Sequence, residues 1–365
     1  MNTGLLEFAG RLRGLISNPR AAIGHQQFQD LALALFTLQF HHNPAYRGIC
    51  EQRCLVPGAV RRWTDVPFVP AAAFKELRLT SLAPGERTAV FHSSGTTAQT
   101  PSRHLHCPAS LALYESSLWT WFAHNVPISA SAGPQSLVLL APPPSQAPHS
   151  SLVHMFETLR RNLAAPPSAF VGLADSLGAW TLDFSAALSA LQASSPFLVL
   201  GTAFSFVHLL DFLAAKKLRL KLPAGSRVME TGGYKNRSRS LPKAELHALI
   251  TESLGIPPEN IIREYGMCEA SSQAYASFGT PFRFPPWARV RVISPETGAG
   301  ANEGQPGLLQ LFDLANVFSV AAIQTEDLAV RRANGFEWIG RAQAAPPRGC
   351  SLMSPSSHTP APRPQ

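Results

Sequence analysis

Cysteine is scarce in this chain, five residues in 365, and the odd number is thinly spread. That excludes a disulfide framework and points to a reducing compartment. Long hydrophobic runs are also missing: the apolar stretch at 31–36 is far too short to span a bilayer. Met1-Asn2-Thr3-Gly4 lacks the basic-then-apolar pattern of a signal peptide, so the expected location is cytoplasmic, with no transmembrane segment. Charge is sparse at 15%, beside 45% hydrophobic residues, which fits a sizeable core and not a disordered chain. Acids are outnumbered, 23 against 31 Lys and Arg, and the formal charge of +8 suits an anionic ligand. The basic residues fall in short groups such as Lys216-Lys217-Leu218-Arg219-Leu220-Lys221, which reads as the solvated end of a helix running into a strand. Without an aromatic-interleaved basic stripe, no nucleic-acid partner is expected. Three chemical templates are absent too: the nucleotide P-loop Gly-x-x-x-x-Gly-Lys-[Ser/Thr], a Gly-x-Gly-x-x-Gly after a strand, and the Gly-x-Ser-x-Gly elbow.

What is present is an alternation. Helical apolar spacing occupies 4–17 and 27–40, with Asn43-Pro44 ending the second helix. His41, His42, Cys50 and Cys54 lie close in sequence, but their spacing fits no common zinc pattern. Asp65-Val66-Pro67-Phe68-Val69-Pro70 is an extended, proline-stiffened lead into a short helix at 71–77. From residue 88, strand-like runs at 89–92, 136–141, 197–201, 228–231 and 261–265 alternate with helical stretches. Those stretches are 108–124, 150–163, 184–194, 203–216 and 242–254. Such alternation predicts an α/β fold with a largely parallel sheet. After Thr280 prolines interrupt the pattern, and β-like runs follow at 288–293, 307–312 and 317–323, separated by turns such as Glu296-Thr297-Gly298 and Asn334-Gly335. The division expected is therefore 1–280 as an α/β domain, 281–353 as a smaller β-rich subdomain, and 354–365 as a disordered Ser/Pro tail.

In parallel sheets, ligands sit beyond the carboxyl ends of the strands. Three polar or glycine-rich segments follow candidate strands there, Ser93–Thr97, Thr231–Lys235 and Gly266–Glu269, and three stretches carry candidate chemistry. The first, Phe91-His92-Ser93-Ser94-Gly95-Thr96-Thr97, puts four hydroxyls and a glycine into five consecutive residues. It reads either as a solvated Ser/Thr turn or as a loop whose N–H and hydroxyl groups surround a phosphate chain. The second, Arg263-Glu264-Tyr265-Gly266-Met267-Cys268-Glu269, offers a ring to stack on a base and a carboxylate for magnesium, or is an ordinary strand end. The third, Gln324-Thr325-Glu326-Asp327, has an acid suited to accept from a ribose hydroxyl pair.

In this order the three segments resemble the adenylate-forming superfamily, and within it the acyl-protein synthetase (LuxE-type) family. The resemblance rests on 92–97 with Pro101-Ser102-Arg103-His104, on Ser150-Ser151-Leu152-Val153-His154-Met155, and on Gly201-Thr202-Ala203-Phe204. It continues through Met229-Glu230-Thr231-Gly232-Gly233-Tyr234-Lys235, through 264–269 with Ser271-Ser272-Gln273, and through Arg348-Gly349-Cys350-Ser351-Leu352. It implies an adenylate-forming-enzyme-like N-terminal domain, with mostly parallel sheets flanked by helices, beside the β-rich C-terminal part. It also implies an ATP- and Mg²⁺-dependent ligase that adenylates a carboxylic or fatty acid and passes the acyl group to a protein cysteine. An acyl reductase is the implied partner. By match to the motifs, Ser93, Ser94, Gly95, Thr96 and Thr97 hold phosphate. Gly232, Gly233, Tyr265, Gly266 and Met267 border the nucleotide, Asp327 takes the ribose and Glu269 binds Mg²⁺. Arg341, in Ile339-Gly340-Arg341, pairs with phosphate, and Cys350 accepts the acyl group.

Two positions depart from the family pattern: Ala98 stands where the phosphate loop usually has a second glycine, and Cys268 replaces a threonine. Two other functions stay open on the sequence: a ligase that loads CoA or a carrier protein, as phenylacetate–CoA ligases do, and a decayed nucleotide-binding subunit. Phe204, Phe206, Phe278 and Phe282 are candidate linings of an acyl pocket, and His92 and His154 are candidate bases or packing residues.

Overall fold

The structure, a computed structural model, describes residues 2–18, 23–93, 100–126, 136–163, 168–176, 178–233 and 239–342. Three helices lead the chain: α1 (Thr3–Ile16), α2 (His25–His42) and α3 (Pro44–Gln52). Leu5, Phe8, Leu12 and Ile16 fall on one side of α1 at helical spacing and are buried, while the Asn2 side chain caps its first turn by accepting from Leu5 N. Asn43-Pro44 does more than stop α2. Asn43 accepts from Tyr46 N and Pro44 takes the first turn of α3, where its missing N–H costs nothing. Then come β1 (Val69–Pro70), α4 (Ala73–Glu76), β2 (Ala89–His92), β3 (Arg103–His106), α5 (Pro108–Asn125), β4 (Ser136–Leu140) and α6 (Ser151–Leu163). The middle of the chain holds β5 (Ala169–Phe170), β6 (Gly172–Ala174), β7 (Trp180–Leu182), α7 (Phe184–Leu191), β8 (Phe197–Thr202), α8 (Ala203–Ala215), β9 (Arg227–Thr231) and α9 (Lys243–Leu254). The last strands are β10 (Ile261–Tyr265), β11 (Ala274–Ala276), β12 (Ala288–Ile293), β13 (Pro306–Asp313), β14 (Ala322–Arg332) and β15 (Gly335–Arg341).

The central sheet has the order β11-β10-β9-β8-β4-β5, parallel throughout except for β11. Both faces are covered, which is why its strands read as continuous apolar runs. Val138, Leu140, Val199 and Val228 pack against residues of α7, α8 and α9. Their alternates Leu137, Leu139, Leu198, Leu200 and Met229 pack against Leu118 and Phe122 of α5 and Phe156 and Leu159 of α6. A second sheet, β1-β14-β13-β12 with β15 on β14, packs against α1–α3 through Phe28, Trp63, Phe68 and Phe312, whose rings meet edge-on or tilted. β1 joins it in parallel with β14, so a segment near residue 70 completes a sheet built otherwise from residues beyond 287. Among the described residues, no helix is long and apolar enough to cross a membrane.

Three expectations need correction. The run at 89–92 is a strand, but it pairs antiparallel with β3 alone and stands off the parallel sheet. The run at 317–323 is a strand only from Ala322. Before it, residues 314–321 form a buried turn held by side chains: Gln39 Nε2 donates to Asn316 O at 2.7 Å, and Ala321 N donates to Gln39 Oε1 at 3.1 Å. The basic group at 216–221 leads into no strand. It hooks onto the end of α9, with Leu220 N donating to Ser253 O at 2.8 Å and Leu222 N to Leu254 O at 3.0 Å.

Candidate functional site

The ends of β2 and β10 carry the described parts of the first two motifs, the end of β9 carries Gly232 and Gly233, and β14 and β15 bring the third beside Tyr265. Ser93 follows β2. Its Oγ accepts from Ser102 N at 2.9 Å and its N donates to Ser102 O at 3.2 Å, which closes the β2–β3 hairpin at the mouth of the loop. Ser102 Oγ in turn donates to Glu269 Oε1. The Glu269 main chain is fixed as well, its carbonyl accepting from Asn316 Nδ2 at 2.8 Å. Glu269 is buried, and burial holds its carboxyl above the usual range although the Ser102 bond and the charge of Arg341 pull the other way. An acid with this imbalance favours a cation at its free oxygen. One such carboxylate fits magnesium carried by a nucleotide, because that ion takes most of its ligands from phosphates and water.

The second group forms around Tyr265. Its hydroxyl donates to Asp327 Oδ2 at 2.7 Å, and Trp338 Nε1 donates to Asp327 Oδ1 at 3.1 Å. The Tyr265 ring lies edge-on to Phe336 and Phe284, with centroids 5.3 Å and 6.1 Å away. Arg341 is the cross-strand partner of Asp327 in the β14–β15 ladder, exposed, with Nη1 3.7 Å from Glu326 Oε2. Each Asp327 oxygen still has a lone pair to offer a ribose hydroxyl. Beyond β9, Gly232 has φ of +65°, a conformation that favours glycine, and a Cβ built on either Gly232 or Gly233 meets no described atom within 4 Å. Gly266 is the opposite case: it is tight against its neighbours, and a Cβ there would collide with Glu264 Oε1. Gly266→Ala is expected to cost about 1–3 kcal/mol of stability, because the buried carboxyl beneath it has nowhere to go. Urea unfolding checks this, and an unchanged midpoint would contradict it.

Ser93, Ser102, Glu269, Tyr265, Asp327 and Arg341 are thus linked by direct bonds, ladder register or charge. Gly266 and Met267 lie on the chain between Tyr265 and Glu269, and Gly232 and Gly233 follow the strand paired with β10. Ser94, Gly95, Thr96, Thr97, Ala98 and Cys350 lie outside the described residues. The four phenylalanines do not gather into one lining: Phe206 of α8 is in the core, Phe204 of the same helix lies edge-on to His208, Phe282 stacks on Phe336, and Phe278 is 64% exposed. His154 is a hydrogen-bonding residue, its Nε2 3.0 Å from Glu115 Oε1. His92 is partly buried beside His149, with ring centroids 4.9 Å apart, and burial lowers its pKa. Among the described residues no group of His, Cys, Asp or Glu is placed to hold a metal by itself, and Cys50 is buried next to Tyr46.

Sequence reasoning passed over the supports. Asp313 is fully buried and accepts from Ser271 N, Ser272 N, Ser272 Oγ and Ala315 N at 2.8–3.0 Å, which fixes the end of the Glu269 segment. Asn316, Trp338 and Glu264 were also unassigned. Ser102 and Glu264 stand inside the segments that carry the family resemblance, and that position is a signal, whereas Asp313 closes an ordinary apolar strand, β13, and offers none.

A family model described as "Acyl-protein synthetase, LuxE" matches residues 23–357. A long-chain-fatty-acid–luciferin-component ligase of Vibrio harveyi is 22% identical over 348 residues, covering 90% of this chain and 87% of that protein. One of Aliivibrio fischeri is 24% identical over 159 residues, 40% of this chain and 42% of that one. Among solved structures, 2-hydroxyisobutyryl-CoA ligase in an open conformation superposes with a TM-score of 0.65 at 16% identity, covering 88% of this chain and 74% of that one. The same ligase in its postadenylation state gives 0.67 at 15% identity, over 89% and 68%. The chain has the fold of these adenylate-forming ligases.

Proposed function

The chain belongs to the acyl-protein synthetase, LuxE, family, and on that premise we propose that it activates a fatty acid with ATP and loads the acyl group onto its own Cys350 thiol. The observation that carries the reading is the hydrogen-bonded relay Ser93–Ser102–Glu269, which ties the residue after β2 to the carboxylate four residues after Tyr265, together with the Tyr265–Asp327 pair. The names of the two relatives, both long-chain-fatty-acid ligases, support the choice of acid.

In the first step a carboxylate oxygen of the acid attacks the α-phosphorus of ATP. The bond from that phosphorus to the bridging oxygen breaks and pyrophosphate leaves with the electron pair, giving acyl-adenylate. Ser93, Ser94, Gly95, Thr96 and Thr97 donate to the phosphates. Tyr265, with Gly232, Gly233, Gly266 and Met267, borders the base, and Asp327 accepts from the ribose. Arg341 adds a guanidinium to the phosphates. Glu269 would hold Mg²⁺, which neutralises charge gathering on the phosphates. Fixed donors are worth most where that charge develops, and the Ser102 and Asn316 bonds keep the Glu269 segment fixed beforehand. In the second step the Cys350 thiolate attacks the acyl carbon, the bond to the phosphate oxygen breaks, and AMP leaves. Arg348, two residues away, favours the thiolate. An acyl reductase is the proposed recipient of the thioester.

The test is ATP–pyrophosphate exchange with a panel of acids of different chain length. Exchange dependent on a long-chain acid is expected. Its absence with every acid would leave the enzyme reading without support.

A further inference from the structure

Glu264 lies between the two strand-end turns of the proposed nucleotide site, and neither step uses it. β9 and β10 are parallel with Thr231 opposite Glu264, and Thr231 Oγ1 donates to Glu264 Oε2. The other carboxyl oxygen sits under Gly266, in the space a Cβ would need. One side chain therefore touches the first residue of the 231–233 turn and the glycine of the 265–267 turn. We propose that Glu264, as the neutral acid, is a positioning residue that clamps these two turns together and sets their spacing for adenylation. This rests on the adenylation reading above.

The surroundings call for a proton. Glu264 is 6% exposed, and the groups facing it are Thr231 from β9, Tyr114 from α5 and its cross-strand partner Tyr275 from β11, with Glu230 on the other face of β9. Among the described residues no cation is paired with it, and the nearby Glu230 is repulsive. Glu230 itself is paired with Lys243 and His247 of α9. Two buried oxygens beside Glu264 have no hydrogen-bond partner among the described residues, Gln273 Oε1 and Tyr275 OH, and Gln273 Cγ borders the space above Gly266, 3.5 Å from where a Cβ would stand. A protonated carboxyl can donate there, whereas a carboxylate can only accept. Burial raises the Glu264 pKa from 4.5 to about 7, with the Thr231 bond opposing it and Glu230 adding to it. Ionisation above neutrality then puts an unpaired charge inside the clamp, beside the turns proposed to border the base.

The sign follows from a folded pKa above the unfolded one. Stability from this proton is fully present below pH 4.5 and is lost as pH rises to about 7. The experiment compares wild type with Glu264→Gln, which keeps the shape but cannot ionise, in two measurements. In pyrophosphate exchange the wild type falls about tenfold per pH unit above a break near 7, and the Gln variant lacks that break. In thermal unfolding the wild type loses stability between pH 4.5 and 7 relative to the Gln variant. The same alkaline break in both proteins, or none in the wild type, overturns the proposal. Absence of exchange at any pH removes the adenylation reading, and the unfolding comparison still reports whether Glu264 holds its proton. Should Glu264→Gln fail to fold, Thr231→Val serves: losing the hydroxyl donor moves the break to higher pH, and an unmoved break overturns the clamp.

Discussion

Protein incubated with ATP, Mg²⁺ and a radiolabelled long-chain acid is expected to carry hydroxylamine-labile label, and Cys350→Ser to carry none above background. The loss is near complete because a serine hydroxyl at that position stays protonated at neutral pH, with no base beside it in the sequence Arg348-Gly349-Cys350-Ser351-Leu352. An oxygen ester, if formed, would also resist the hydroxylamine that cleaves a thioester. Pyrophosphate exchange reads only the first step, in which this sulfur forms no bond, and so reports whether the variant is folded. Undiminished label in the variant would move the acceptor elsewhere. Cys268 is then the first residue to examine, being buried within the proposed site. Label appearing only when an external thiol is supplied would favour a ligase that loads CoA or a carrier.

Asp313→Ala is expected to lower stability by about 3 kcal/mol or more, because each buried donor left without an acceptor costs about 1–3 kcal/mol. The carboxylate accepts from three backbone N–H groups and one hydroxyl, and none of these has water to turn to once the side chain is gone. Asp313→Asn keeps one acceptor oxygen and should lose less. The measurement is the denaturant midpoint at constant slope, and a loss under about 1 kcal/mol would contradict the account. Because Ser271 and Ser272 lie just after Glu269, the exchange rate should fall in Asp313→Ala even below the temperature at which it unfolds.

Much of the fold was legible because the central strands are buried on both faces. Runs such as Phe197-Leu198-Val199-Leu200 leave little doubt, and Ile261–Tyr265 was bounded correctly. β3 was invisible because its two inward residues are His104 and His106, which do not read as apolar. Both are buried. The His104 pKa is lowered to about 4 by burial, and its Nδ1 lies 2.9 Å from Cys268 O, so it packs as a neutral ring. Missing β3 is what misassigned β2 to the parallel sheet. The site's named chemistry was legible where residue types are distinctive, in Tyr265, Glu269 and Asp327. Its supports were not, because Asp313, Asn316 and Gln39 act across 42 to 282 positions of chain that no local pattern connects.

Gln39 and Asn43 set an order on synthesis. They leave the ribosome early, yet their partners are Asn316, Val317, Ser319 and Ala321. The first helices must wait, with Phe28 short of its Phe312 contact, until the strands of the second sheet have been made. A chaperone that holds apolar helices during translation should therefore matter more for this chain than for a protein whose N-terminal half folds on its own.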